Sequence, residues 1–168
     1  MKRNIFLVLM CAFVFSGCKF SYSFTGTNID YTQTKTINIH DFTNQATLVY
    51  PTLSQILSEK MRDVYTKSTK LKFTDRDPDI EIEGEIVKYE LSQQAVKDNA
   101  YASETRLTMT VNVRYRNNRN TALNKELSFS TYEVFSNNQT LSQVQEELVN
   151  KMTADVVDQI FNGTMANW

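Results

Sequence analysis

Cysteine, proline and glycine are all scarce in this chain, which has two, two and four of them among 168 residues. Both cysteines, Cys11 and Cys18, lie near the N-terminus, so the rest of the chain has no thiol for a disulfide or a zinc site. So few glycines leave no Gly-rich loop of the kind that cradles phosphate groups. The fold must therefore depend on a hydrophobic core alone.

Histidine is scarcer still, because His40 is the only one. A Ser/His/Asp triad would have no other base, and we interpret His40 as a solvated strand residue. The carboxylates Asp75, Asp77 and Asp79 resemble part of a calcium loop, but the glycine and distal glutamate of an EF-hand are absent. We interpret them as a turn. The sequence predicts no catalytic residues, no metal site and no cofactor, and hence a protein that is not an enzyme.

The N-terminus has the plan of a secretory signal peptide. Lys2 and Arg3 are followed by a short apolar run and then by Ser16-Gly17-Cys18. This junction is similar to the lipobox of bacterial lipoproteins, in which the cysteine is acylated and becomes the new N-terminus. We predict that residues 1–17 are removed, that Cys18 carries the lipid and that residues 18–34 form a tether. The alternative is a signal peptide without lipidation, in which the cysteine is incidental.

The remaining chain is weakly acidic, since removal of Lys2 and Arg3 adds to an existing excess of acidic residues. A general nucleic-acid binder would show a clustered basic excess instead, so we expect no nucleic-acid partner. Residues 35–168 have a length typical of a single domain.

Apolar periodicity predicts the order β-α-β-β-β-β-α. Helical spacing of apolar residues predicts one helix from about Thr52 to Ser68, opened by a capping box of Thr52 and Gln55, and another from Thr140 to about Asn162, ended by Gly163. The predicted strands have alternating apolar residues and lie near residues 35–40, 71–73, 80–91, 107–116 and 127–134. Shifts in this alternation predict β-bulges near Ile86 and near Thr131.

These elements predict an α+β fold, a two-layer sandwich in which a mostly antiparallel sheet has both helices packed on one face. Val111 and Val113 should then be buried beneath the helices that contain Leu57 and Leu148. Alternate residues such as Thr110 and Asn112 should lie on the open, polar face.

One basic concentration stands out, formed by Arg114, Arg116 and Arg119 at the end of the clearest strand and in its turn. Guanidinium groups suit phosphate and carboxylate ligands, so a phosphorylated glycolipid is a conceivable ligand. The alternative is a solvated hairpin end with no ligand.

Several short motifs together resemble the LptE family of lipopolysaccharide-assembly lipoproteins. They follow one another along nearly the whole mature chain: Tyr22-Ser23-Phe24-Thr25-Gly26-Thr27, Pro51-Thr52-Leu53-Ser54-Gln55, Ile82-Glu83-Gly84-Glu85-Ile86, Arg106-Leu107-Thr108-Met109-Thr110-Val111 and Asn167-Trp168. Each motif is short, and the specificity lies in their succession.

The resemblance implies an assembly role and no catalysis. LptE-like proteins sit inside an LptD-like outer-membrane β-barrel, help it to assemble and help to deliver lipopolysaccharide to the outer leaflet. The family's lipid residue corresponds to Cys18, and Lys19 after it is not the aspartate that retains lipoproteins in the inner membrane. We therefore expect a lipid-anchored protein on the periplasmic side of the outer membrane. No motif places the family's lipopolysaccharide contacts on the three arginines, which are assigned by location and chemistry only.

A second hypothesis is a free-standing periplasmic lipid-binding or chaperone lipoprotein that holds an acyl ligand between sheet and helices. A stable complex with a large barrel would favour the first hypothesis, whereas a monomer that retains lipid would favour the second.

Overall fold

The computed structural model describes residues 29–94 and 104–165. The predicted signal peptide, the predicted lipid-bearing Cys18, most of the predicted tether and Trp168 lie outside the described residues. The assignments made for them stay predictions.

Two helices carry the apolar stripes seen in the sequence. Helix α1 spans Leu53–Ser68 and helix α2 spans Leu141–Met165. Their buried residues recur at three- and four-residue spacing, so each helix turns one face to the interior. Both helices are where the sequence predicts them.

Six strands and one short 3-10 helix make up the other regular elements of the described residues. They are β1 (Thr36–Ile39), β2 (Thr43–Asn44), β3 (Lys72–Phe73), β4 (Ile80–Gln93), β5 (Glu104–Asn117), the 3-10 helix (Thr121–Leu123) and β6 (Lys125–Ser136). The predicted order is confirmed, with β2 as an addition. Two residues are too few to show alternation, so the sequence indicates only a loop there.

The strands form one sheet in the order β3-β1-β4-β5-β6, and β2 pairs with β4 beside this path. The long strands β4, β5 and β6 pair antiparallel, whereas β1 runs parallel to both β3 and β4, and β2 runs parallel to β4. The sheet is therefore mixed. Helix α1 lies between β1 and β3 in the chain, and a crossover through a helix returns the next strand in the same direction.

The core lies between the sheet and the two helices, as predicted. Val111 and Val113 are buried on the sheet, and Leu57 and Leu148 are buried on the helices. Residues that alternate with the two valines, including Asn112, face the opposite side. The predicted fold class, an α+β sandwich with both helices on one face, is confirmed.

One of the two predicted bulges is present. The register between β4 and β5 shifts between Ile86 and Lys88, which confirms the bulge near Ile86. The bulge predicted near Thr131 is wrong, because β5 and β6 pair through this position without a shift. Thr131 stays on the inner face, while Tyr132 and Val134 are exposed on the outer face. The alternation of apolar residues shifts there because Tyr132 and Val134 are apolar side chains on the exposed face, and not because the strand contains an extra residue.

Two predicted helix-end features are also wrong. Thr52 has helical backbone angles and makes no side-chain cap, so the capping box does not form. Helix α2 continues through Gly163 to Met165. A Cβ atom at Gly163 would lie 2.6 Å from the Phe129 ring, so this glycine allows β6 to pack closely on the helix.

Candidate interaction surface

The outer face of the sheet is the candidate functional surface. Both helices pack on the inner face, so within residues 29–94 and 104–165 no helix covers the outer one. Because side chains alternate along a strand, every second residue of β4, β5 and β6 points outward. These outward residues include Glu81, Glu83, Glu85, Thr108, Thr110, Asn112, Arg114, Arg116, Glu126, Ser128 and Ser130. The face is thus mostly polar.

A row of charges crosses this face. The register sets Arg114 opposite Glu83 on β4 and opposite Glu126 on β6. The Nη1 of Arg114 lies 3.4 Å from Glu83, and its Nε lies 3.2 Å from Glu126. Arg116 lies beside it, with its Nη1 3.0 Å from Glu83 and 3.9 Å from Glu81. The two arginines that the sequence predicts on one face are therefore together, and both are paired with carboxylates.

Arg119 lies apart from the other two, in the loop after β5. Its Nε donates a hydrogen bond of 2.5 Å to a carboxylate oxygen of Asp79. The other oxygen of Asp79 accepts the backbone N–H groups of Lys35 and Thr36, at 2.7 and 3.0 Å. Arg119 thus takes part in a structural junction between the start of β1, the start of β4 and this loop. The three arginines do not form a single cluster.

Asp79 is the residue that sequence reasoning missed. It is only 3% exposed, although the sequence predicts it as part of a turn. Burial by itself would raise the pKa of this carboxyl. The N–H of Lys35, the Arg119 guanidinium and the N–H and hydroxyl of Thr36 outweigh burial and lower the pKa to about 2. The sequence contains one indication of this burial, because Asp79 directly precedes Ile80, the first apolar residue of the predicted strand.

A concave depression of about 610 Å³ lies on this side of the molecule. Its lining includes Asp41, Glu83, Glu85, Glu126 and Arg114, together with the exposed His40. The acidic excess makes it a poor place for an acyl chain, because burying charges against hydrocarbon is costly.

In the part of the chain that the structure describes, no three His, Cys, Asp or Glu side chains are grouped to hold a metal ion. Among the same residues, neither helix has the length and apolar character needed to cross a bilayer.

The family is decided by a comparison of the whole sequence with protein-family models. The model described as LptE, lipopolysaccharide-assembly, matches residues 34–163. The chain belongs to the LptE family. No protein with a curated description is similar enough in sequence to be matched.

Solved structures support the fold of this LptE-family chain. An uncharacterized lipoprotein B from Nitrosomonas europaea matches with a TM-score of 0.50 and 18% identity, over 79% of this chain and 83% of its own. A protein from Xanthomonas campestris matches with a TM-score of 0.51 and 11% identity, over 83% of this chain and 89% of its own. At such identities the likeness concerns the fold alone.

Membership confirms the resemblance seen in the sequence and gives the general role. The LptE family consists of lipopolysaccharide-assembly lipoproteins and is not a family of enzymes.

Proposed function

We propose that this protein is an outer-membrane lipoprotein that helps an LptD-like barrel to assemble, plugs it and aids delivery of lipopolysaccharide to the outer leaflet. The observation that carries the proposal is the LptE-family match over residues 34–163. The protein is held on the periplasmic side through acyl chains on Cys18, and Lys19 favours the outer membrane over the inner one.

The geometry of the described residues suits a plug. A barrel wide enough to pass a glycolipid has a polar, water-filled interior and is not filled by its own side chains. The outer sheet face presents hydroxyl, amide and paired charged groups, which are compatible with such a lumen. The inner face is already covered by helices α1 and α2. A partner therefore has one broad polar face of the sheet available for contact.

The alternative, a free-standing lipid-binding or chaperone lipoprotein, needs a groove between sheet and helices. Over most of the described sheet that space is occupied by the core, apart from a cavity of about 270 Å³ at one end, between Ile80, Tyr115 and Met165. Residues on both sides of the core, such as Leu57, Ile86, Val111 and Val156, are fully buried. An acyl chain would have to displace close-packed side chains, which is costly. The packing therefore favours the barrel-partner role.

Isolation of the tagged, full-length protein from outer membranes tests the proposal. We expect a stable one-to-one complex with a large β-barrel, identified by mass spectrometry. In cells that lack the protein, we expect less correctly assembled barrel and less surface lipopolysaccharide. A monomer that carries lipid would instead support the alternative. Normal barrel assembly and normal surface lipopolysaccharide without the protein would refute the proposed function.

We also propose that Arg114, Arg116 and Arg119 provide a secondary contact for the phosphate groups of lipid A. Arg114 and Arg116 are the main candidates because they lie side by side on the open face, whereas Arg119 is engaged with Asp79. Phosphate would have to compete with Glu83 and the other neighbouring carboxylates for the guanidinium groups. Because of this competition, the affinity for lipid A should depend on the carboxylates as well as on the arginines.

The double variant Arg114→Gln/Arg116→Gln is expected to weaken binding of lipid A about tenfold, because charge-assisted hydrogen bonds to phosphate are lost. Its stability should change little, since exposed ion pairs contribute little to folding. Glu126→Gln is the opposite control: it removes a competing carboxylate from Arg114 and should strengthen binding. Arg119→Gln measures separately how much Arg119 contributes to binding of lipid A. Unchanged binding in both the double variant and Arg119→Gln would remove the arginine assignment and leave the barrel role untouched.

A further inference from the structure

Strand β6 is the last strand on one side of the sheet. It pairs with β5 over the whole range Lys125–Ser136, and the register has no shift. In an antiparallel strand every second residue directs its N–H and C=O away from the paired neighbour. Within the described residues, no other strand pairs with that outer edge. It therefore offers a long, regular row of backbone donors and acceptors.

The opposite edge of the sheet differs. Strand β3 at that edge has only two residues, Lys72–Phe73. Short edge strands, bulges and prolines are the usual means by which proteins prevent another strand from pairing. β6 has none of these, because it is long, has an unbroken register and contains no proline. The short strand β3 protects one edge, whereas no strand among residues 29–94 and 104–165 pairs with the outer edge of β6.

The exposed apolar side chains of β6 lie beside this open edge. Tyr132 and Val134 face outward and are 55% and 41% exposed. The guanidinium of Arg106 on β5 lies 4.2 Å from the centre of the Tyr132 ring, so the ring is held by a cation–π contact. Aromatic residues and arginine are the types enriched at the centres of protein interfaces. The patch thus has the composition of a contact site.

Charges line the inner side of the same edge. Glu133 on β6 lies near a row on α2 that contains Glu147, Lys151 and Asp155. Thr131 of β6 donates a hydrogen bond to Asp155. The carboxylates of Glu133, Glu147 and Asp155 outnumber the ammonium group of Lys151. The net charge of these four groups is therefore negative, which favours a partner with basic side chains.

We infer that the outer edge of β6 binds an extended segment of the barrel protein, which adds to the sheet as a further strand. This inference rests on the proposed function. The backbone of the segment pairs with β6, its apolar side chains contact Tyr132 and Val134, and its basic side chains face Glu133 and Asp155. Only another extended backbone matches a regular row of alternating N–H and C=O groups, which is why the occupant is a strand.

Hydrogen exchange on the intact wild-type complex tests backbone pairing directly. In the free protein, the amides of β6 that point away from β5 should exchange fast, and in the complex with the barrel they should become protected. The amides of β3 at the opposite edge should not change. Unprotected β6 amides in a complex that does form would overturn the inference and leave the proposed function standing. Absence of any barrel complex with the wild-type protein would overturn both.

Substitutions test the side-chain contact. Tyr132→Lys/Val134→Lys is expected to reduce the recovered barrel complex about tenfold, a loss typical of central interface residues. Phe73→Lys at the opposite edge is the matched control. Phe73 is 39% exposed, a fraction similar to the 41% of Val134, and its substitution should leave the complex intact. Thermal unfolding of each variant shows whether it folds, and Val134→Thr keeps the side-chain shape if lysine is not tolerated. Equal complex recovery for Tyr132→Lys/Val134→Lys and Phe73→Lys would refute the contact.

A photocrosslinking residue in place of Ser130 identifies the occupant. The expected adduct joins this position to one extended segment of the barrel protein. An adduct with a second copy of this chain would overturn the assignment of the occupant.

Discussion

Asp79→Ala is expected to lower the free energy of unfolding by about 3 kcal/mol, because three donors lose a buried, charged acceptor. The N–H groups of Lys35 and Thr36 and the guanidinium of Arg119 all donate to this carboxylate. They belong to the start of β1 with the residue before it and to the loop after β5, so the change weakens two connections at once. Urea unfolding at neutral pH measures the loss. Asp75→Ala, an exposed aspartate in the same turn, is the matched control and should have little effect.

The same carboxylate should make stability depend on pH in a defined range. The pKa of Asp79 is about 2 in the folded protein, against an ordinary value of 3.8. A group with a lowered folded-state pKa stabilises fully above its unfolded pKa and loses that contribution as pH falls through the folded one. The stability difference between wild type and Asp79→Ala should therefore be constant at neutral pH and shrink by about 2 kcal/mol between about pH 4 and pH 2. A difference that does not change over this range would contradict the assignment.

Cys18→Ala is expected to release almost all of the exported protein from the membrane. Each buried CH₂ of an acyl chain contributes about 0.8 kcal/mol, so several chains on one cysteine hold a protein almost permanently, and their loss removes the anchor. Fractionation and labelling with palmitate measure the two consequences. Cys11→Ala, within the apolar part of the predicted signal peptide, is the matched control and should be processed normally. Lipid-labelled, membrane-held Cys18→Ala protein would show that the anchor lies elsewhere.

Release from the membrane and loss of barrel binding can occur independently of each other. The predicted anchor at Cys18 precedes the domain in the sequence, whereas the proposed contacts lie on the outer face and on the β6 edge. A released Cys18→Ala protein that still binds the barrel in detergent would show that the domain itself carries the affinity. The two functions of anchoring and binding can then be assigned to different parts of the chain.

Much of the fold could be predicted because the relevant signals are local. The alternation of Val111 and Val113 with Asn112 predicts which face of β5 is buried, and the helical spacing around Leu57 and Leu148 predicts the faces that cover it. The bulge at Ile86 was predictable for the same reason, since it changes the alternation within one strand. Burial of one face of each element repeats at the period of that element, so it appears directly in the sequence.

The errors arose where one local signal has two physical causes. A change of apolar phase near Thr131 is produced either by a bulge or by exposed apolar residues, and Tyr132 and Val134 turned out to be exposed. A glycine late in a helix marks either the helix end or a close approach, and Gly163 lies against Phe129 within the helix. In both cases the deciding atoms belong to another element.

The sequence by itself determined the element order, the inner and outer faces and, through motifs spread along the chain, the family. Only the tertiary structure decided that Arg114 lies between Glu83 and Glu126, that Asp79 is buried against Arg119 and that β6 is the open edge. The reason is physical. Side-chain period is a property of each segment alone, whereas pairing register, strand order and burial of a turn residue depend on which distant segments meet.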